Sequence, residues 1–184
     1  SIIVKSGAAI EQISRADAAV FDKTGTITYG MPVVEDIILL DDFNKNKNGE
    51  SIEYTKDDIL FKAASLEQMS SHPSAQSITK AGKEKFNNLA LPTSFHEKSG
   101  LGVEGYVNGE HILVGSSNYI ESQSKTNTNY DTINRNGDLL KTITEFQKIG
   151  KMVVLVNING TNAAIIKFTD KIRDGVISMI QNLR

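Results

Sequence analysis

The sequence contains no cysteine, which excludes disulfides and thiolate metal sites. Its three histidines, His72, His96 and His111, lie far apart and show no zinc-ligand spacing. No apolar run approaches the roughly 20 residues of a membrane span, and no signal peptide is visible. The piece in hand therefore reads as soluble. The formal net charge is -2, so nothing announces a nucleic-acid partner or an anionic membrane. What is there is a chain of 184 residues with ordinary globular composition, enough for one or two small domains. It begins at Ser1 without Met, and is read as cut from something larger.

The local pattern suggests a mixed fold. Residues 18–21 are apolar and bounded by acids, which suits a short buried strand. The stretch 31–40 is β-rich, and the Asn/Lys-rich stretch 41–54 reads as a loop. From Thr55 the pattern becomes helical, with Ile59, Leu60, Ala63, Ala64 and Leu66 on one face. A second helix should start at Ser71-His72-Pro73, with Ser71 as its cap and Ala75, Ile78 and Ala81 on one face. Two segments, "VEGYVNGEHILVG" and "VVLVNINGTNAAIIKF", each carry Asn-Gly between β-prone arms and predict type I′ hairpins. Between them, the polar stretch 121–137 reads as loop or disorder. "DLLKTITEFQKIG" then predicts a helix with Leu139, Leu140, Ile143 and Phe146 inward and Gly150 ending it. A last helix carries Val176, Ile177, Ile180 and Leu183 as its apolar stripe.

The stretch "AVFDKTGTITYG" raises a chemical question about Asp22. A strand ending in Asp and running into Lys-Thr-Gly-Thr puts a carboxylate at the carboxyl edge of a sheet, where open α/β sheets bind ligands. Gly25 permits a sharp bend and exposes amides to phosphate oxygens. Thr24, Thr26 and Lys23 add polar and positive groups. This suits a carboxylate nucleophile that accepts a phosphoryl group. For an isolated Asp-x-x-Gly, a turn that simply needs Asp and Gly is the better explanation.

The heptad "DKTGTIT" resembles the phosphorylation signature of the P-type ATPases, and further matches follow in the family's order across residues 1–184. "SSHPSAQSI" resembles the His-Pro motif of the heavy-metal-transporting branch, matching His72 and Pro73. Glu67 stands where that branch carries its adenine-side glutamate. "GLGVEGYVNGEHILVG" resembles its Gly-x-Gly loop, matching Gly100 and Gly102, with Gly115 closing the hairpin. "FTDKIRDGV" resembles the return into the phosphorylation domain, matching Asp170 and Arg173. The chain departs from the branch at Ser71, where Glu is usual, and at Ser116, where Asn is usual.

The resemblance implies an α+β fold: an antiparallel sheet with flanking helices, inserted into an incomplete haloacid-dehalogenase-like α/β domain. The implied partition is residues 1–30 and 167–184 for the phosphorylation domain, and 31–166 for the nucleotide-binding domain. It implies ATP and Mg²⁺ as cofactors, with adenine held near Glu67, His72, Gly100, Gly102 and Gly115. The glycines would admit the nucleotide close to the backbone. Asp22 would be phosphorylated, and its carboxylate with the Thr24 carbonyl would hold Mg²⁺. The implied setting is the cytoplasmic face of a membrane, with transmembrane and actuator domains on the same polypeptide and a heavy-metal cation as cargo. The family's later Thr-Gly-Asp and Gly-Asp-Gly segments are not among these residues, so the chain alone is expected not to turn over. The rival is a soluble haloacid-dehalogenase-like phosphatase with a cap domain. Such phosphatases resemble this site but carry a second Asp two residues after the nucleophile, where this chain has Thr24. Taken singly, Glu67, His72 and the Gly-x-Gly each have an ordinary structural explanation; the argument lies in their combination.

Overall fold

The computed structural model describes residues 4, 6–13, 15–40, 54–124 and 137–183. The chain divides into two compact units, one made of Ser1–Gly30 with Ile172–Arg184 and the other of Met31–Lys171. The readings of 41–53 and 125–136 as loops lie outside the described residues.

The larger unit is built on a six-stranded sheet in the order β1-β6-β5-β4-β3-β2. The strands are β1 (Thr28–Leu39), β2 (Thr93–Lys98), β3 (Gly102–Val107), β4 (Glu110–Gly115), β5 (Val153–Ile158) and β6 (Thr161–Ile172). Both Asn-Gly hairpins form. Asn108 and Gly109 take φ of 52° and 83°, and Asn159 and Gly160 take 48° and 83°. These left-handed pairs match the strand twist, so β3–β4 and β5–β6 close tightly and antiparallel.

Burial alternates along the central strands. Ile112, Val114, Val156, Ile158, Ala164 and Ile166 join one core, while Leu113, Leu155 and Ile165 join the other. The first core is covered by α2 (Lys56–Glu67) and α3 (Pro73–Lys85), which supply Ile59, Ala63, Leu66 and Ile78. The second is covered by α4 (Ser117–Ser124) and α5 (Gly137–Lys148), through Tyr119, Ile120 and Ile143. The central strands β4, β5 and β6 are therefore buried on both faces, which explains their nearly continuous apolar runs, while β2 at the edge is polar and mostly exposed.

Packing outweighs local signals in holding these helices. Thr55 and Asp58 form a reciprocal capping box at the start of α2, an arrangement that contributes about 1 kcal/mol. Each fully buried side chain such as Ile59 or Leu66 contributes about 1.5–3 kcal/mol. A further tie runs from Tyr54 and Lys62 to Glu110 on β4.

Four local expectations need correction. Residues 18–21 are not a strand, and Val20 is 99% exposed. Among the described residues of its unit this run has no pairing strand, and an apolar run without one keeps no ladder hydrogen bonds. The cap of α3 is His72, not Ser71. Residues 121–124 belong to α4, because Ser116 accepts the Tyr119 N–H and Tyr119 and Ile120 are buried against β4 and β5. Leu140 is 41% exposed, since Leu139 and Ile143 already fill that face of α5.

Gly82 sets the spacing of α2 and α3. A Cβ there would overlap the Ala64 methyl and lie 3.4 Å from Leu89. Gly82→Ala should therefore destabilise the chain by about 1–3 kcal/mol in urea unfolding, through overpacking. A gain of about 1 kcal/mol, the ordinary helix-propensity effect, would show that the spacing yields freely.

Candidate functional site

In the unit made of Ser1–Gly30 with Ile172–Arg184, Asp22 has extended backbone, φ -66° and ψ 144°, and its side chain makes no capping bond. It is exposed. The chain then enters an irregular turn over Lys23–Ile27, in which Gly25 has φ 82°. That left-handed conformation is the physical reason for glycine in the motif. Two residues outside the heptad's expected chemistry hold the turn. Thr28, 2% exposed, donates its hydroxyl to the Lys23 carbonyl at 3.2 Å and accepts from the Gly25 N–H at 3.4 Å.

Arg173 is the second. Its guanidinium donates to the carbonyls of Gly25 at 2.9 Å and Thr28 at 3.1 Å, and its own N–H donates to Ile27 O at 2.9 Å. The guanidinium also lies 5.1 Å from the Tyr29 ring centre. Arg173 thus binds three carbonyls of the segment that follows Asp22. Asp170 lies on β6, in the other unit. No group of three or more His, Cys, Asp or Glu able to hold a metal occurs among the described residues. The Asp22 carboxylate and Thr24 carbonyl are hard oxygen donors of the kind Mg²⁺ takes, and Mg²⁺ keeps waters for its remaining positions.

In the larger unit, Glu67 ends α2 and is 5% exposed. Its carboxylate has no hydrogen-bond partner among the described residues. Burial first, and then the charge of Glu97 on β2, push it up to about 8. Ser70 connects this region. Its hydroxyl donates to Glu97 Oε1 at 2.8 Å, and Ser70 Oγ in turn accepts the His72 N–H at 3.2 Å. His72 caps α3 by accepting the Ser74 N–H on Nδ1 at 3.3 Å, with Ser74 Oγ 2.6 Å away. Nδ1 is thereby engaged with Ser74, while the residue as a whole is exposed. Pro73 follows at the first helical position, where its missing N–H costs nothing.

The glycines meet the same sheet end. Glu97 pairs with Val103, Lys98 with Gly102, and Gly102 with Gly115. Ser70 thus ties the His72 backbone to Glu97, and the strand pairing sets Glu97 and Lys98 against Val103 and Gly102, with Gly115 opposite Gly102; the motif pattern indicated neither Ser70 nor Glu97. The only trace in the sequence is a charged residue at 97, five positions before Gly102. Gly102 and Gly115 are also required by packing. A Cβ on Gly102 would lie 2.5 Å from the Val114 carbonyl and 2.6 Å from the Tyr119 ring. A substitution there changes the β3–β4–α4 packing before it changes any ligand contact. Gly100 has open space around it and φ 72°. A depression of about 360 Å³ lies along α3, lined by Ser70 together with Gln68, Gln76, Thr79, Lys80, Lys83 and Glu84; it reaches the site at Ser70, and none of the five predicted residues lines it.

Residues 16–184 match the haloacid dehalogenase-like hydrolase family, and the chain belongs to it. Within it, the relatives are heavy-metal P-type ATPases. The copper-transporting ATPase PAA1, chloroplastic, of Arabidopsis thaliana is 29% identical over 184 residues, covering 99% of this chain and 18% of that protein. The copper-exporting P-type ATPase of Bacillus subtilis (strain 168) is 32% identical over 173 residues, covering 94% of this chain and 19% of that one. A crystal structure of a zinc-transporting PIB-type ATPase in its E2.Pi state matches with a TM-score of 0.74 at 29% identity, over 98% of this chain and 26% of that one. The chain spans about a fifth of the length of the curated relatives it matches.

The buried acid has a stability consequence. Folding raises Glu67 from 4.5 to about 8, so between those values the folded state holds a proton that the unfolded state has released. The Glu67 contribution to stability is complete below pH 4.5 and is lost as pH rises toward about 8. Urea midpoints measured across this range should show that decline in the wild type and lose its Glu67 component in Glu67→Gln. The variant should be the more stable protein at about pH 8. Parallel midpoint curves for the two would sink the assignment.

Proposed function

We propose that this chain is the ATP-binding and phosphorylation segment of a heavy-metal-transporting P-type ATPase. The observation that carries the reading is the Asp22 turn: an exposed, uncapped carboxylate followed by a left-handed Gly25, held by Thr28 and Arg173. The order of the other motifs and the named relatives support it. In this reading the unit of Met31–Lys171 holds adenine beside Glu67 and the His72 ring, which is flat enough to stack on the base.

In the intact pump an Asp22 carboxylate oxygen attacks the γ-phosphorus of ATP in line. The new O–P bond forms as the bond to the β–γ bridging oxygen breaks, and ADP leaves with that oxygen and its electron pair. Asp22 and the Thr24 carbonyl would hold Mg²⁺, which when bound supplies charge neutralisation on the phosphoryl oxygens. Arg173 keeps the three carbonyls of the turn directed to itself, which fixes the Gly25 bend behind Asp22. Thr24 offers no carboxylate two residues after the nucleophile, so water attack on the aspartyl phosphate lacks acid–base help worth about 10²–10⁴-fold. A persistent phosphoenzyme suits a transporter and hinders a phosphatase. The setting follows from the same reading: a domain on the cytoplasmic face of a membrane, continuous with transmembrane and actuator domains. No helix among the described residues is long and apolar enough to cross a membrane. The cargo is a heavy-metal cation; the relatives are named for different metals.

Two measurements test this. In the intact pump, ATP and Mg²⁺ should give an acid-stable, hydroxylamine-sensitive acyl phosphate, absent in Asp22→Asn because an amide is not a competent nucleophile. Label that persists in that variant rejects the assignment. The chain of 184 residues should bind ATP with a dissociation constant on the order of 0.1–1 mM and ADP about as well, read by chemical-shift titration. His72→Ala should weaken binding and Asp22→Asn should leave it unchanged. The reverse pattern would move the pocket, and phosphatase turnover lost in Asp22→Asn would favour the soluble phosphatase.

A further inference from the structure

This inference rests on the reading that adenine lies against the His72 ring, and it concerns what holds that ring. His72 is the exposed N-cap of α3. Two freedoms must be lost before a base can stack on it, the ring torsion and the backbone entering the helix. Ser74 restrains the ring: its N–H donates to Nδ1 at 3.3 Å, and its Oγ lies 2.6 Å from the same nitrogen. The His72 N–H lies ahead of the helix and finds no partner there. Ser70 supplies it. Ser70 is 9% exposed, and its own N–H donates to the Glu67 carbonyl at 2.9 Å, so it is anchored to the end of α2. A hydroxyl has one hydrogen and two lone pairs. The hydrogen goes to Glu97 Oε1 at 2.8 Å, which leaves a lone pair for the His72 N–H at 3.2 Å. A carboxylate acceptor makes the first bond charge-assisted, and a hydroxyl polarised in this way accepts more strongly. Without an acceptor at position 97 the hydroxyl is free to rotate, and its bond to His72 is no longer held in one direction.

We propose that Glu97 is a positioning residue for nucleotide binding: through the Ser70 hydroxyl it fixes the backbone entry to α3 and so holds the His72 ring ready for the base. The sheet delivers this acceptor. Glu97 stands opposite Val103 and Lys98 opposite Gly102, so the β2–β3 register sets where the carboxylate meets Ser70, 27 positions earlier in the chain. A ring already ordered in the free protein spares the ligand the cost of ordering it, which is worth about three- to tenfold in affinity.

The test titrates ATP into the full chain, read by amide chemical shifts, in a mutant cycle over positions 97 and 72. Glu97→Ala and Glu97→Gln remove the same negative charge, so any effect of that charge on the phosphates cancels between them. Only Gln keeps an oxygen that can accept the Ser70 hydroxyl. Glu97→Ala should bind ATP about three- to tenfold more weakly than Glu97→Gln. Loss of a negative charge by itself favours an anionic ligand, so such weakening has the opposite sign to a charge effect. In a His72→Ala background the Ala and Gln variants should bind alike, because the residue they act through is gone. Without nucleotide, the His72 and Ser74 amide shifts should move in Glu97→Ala and return in Glu97→Gln. Ser70→Ala against the wild type repeats the cycle independently and serves where Glu97→Ala does not fold. Equal ATP affinities for Glu97→Ala and Glu97→Gln, with His72→Ala weaker than the wild type, overturn this inference and leave the pocket standing. So does a Glu97→Ala deficit that persists in full without His72. A His72→Ala chain that binds ATP as the wild type does overturns the stacking reading and this inference together.

Discussion

Val114 and Val156 face one helical layer while their neighbours Leu113 and Leu155 face the other. This two-sided burial of β4, β5 and β6 is the constraint on which the larger unit depends. A one-residue slip of any of these strands would exchange its two cores at once. Register is therefore strongly held, and so are the strand ends where the candidate pocket lies. The helices follow from the same demand. The connection from β1 to β2 supplies α2 and α3 for one face, and the connection from β4 to β5 supplies α4 and α5 for the other.

Fixed register has a direct consequence at the end of α2. The pairing of Glu97 with Val103 and Lys98 with Gly102 leaves Glu97 beside the glycine-containing strand. Leu66, fully buried, seats α2 against β3. Ser70 then meets Glu97, and its oxygen takes up the His72 N–H that would otherwise be an orphan before α3. The cost of this arrangement falls on Glu67, a buried acid facing another acid. Folded proteins tolerate such a group chiefly where a site uses it.

The smaller unit is organised differently. Its structure rests on backbone carbonyls gathered by one guanidinium and one buried hydroxyl, not on an apolar core. Neither α1 (Gly7–Ile13) nor α6 (Val176–Asn182) buries a residue. Ile10, Ile13, Ile177 and Leu183 are all largely exposed. The precision of the unit is confined to the segment around Gly25, which is also where the motif places its chemistry.

The sequence by itself determined what depends on near neighbours. Asn-Gly defines both hairpins because only small or amide residues take two consecutive positive φ values cheaply. Thr55 and Asp58, three positions apart, close the α2 cap, and Gly25 permits the bend after Asp22. The motif residues Asp22, Glu67, His72 and Gly102 were legible as a pattern, without their surroundings. Tertiary structure decided what requires distant partners. Residues 18–21 have strand character, yet no partner strand among the described residues of their unit, so they form no regular element and stay exposed. Polar residues 121–124 are helical because Tyr119 and Ile120 are anchored on the sheet. Ser70 and Glu97 are 27 positions apart, and Arg173 lies 148 positions from Gly25. No local propensity brings such pairs together. Strand register and the closing of the chain on itself do, because only the buried packing of the whole unit repays the entropy of ordering them.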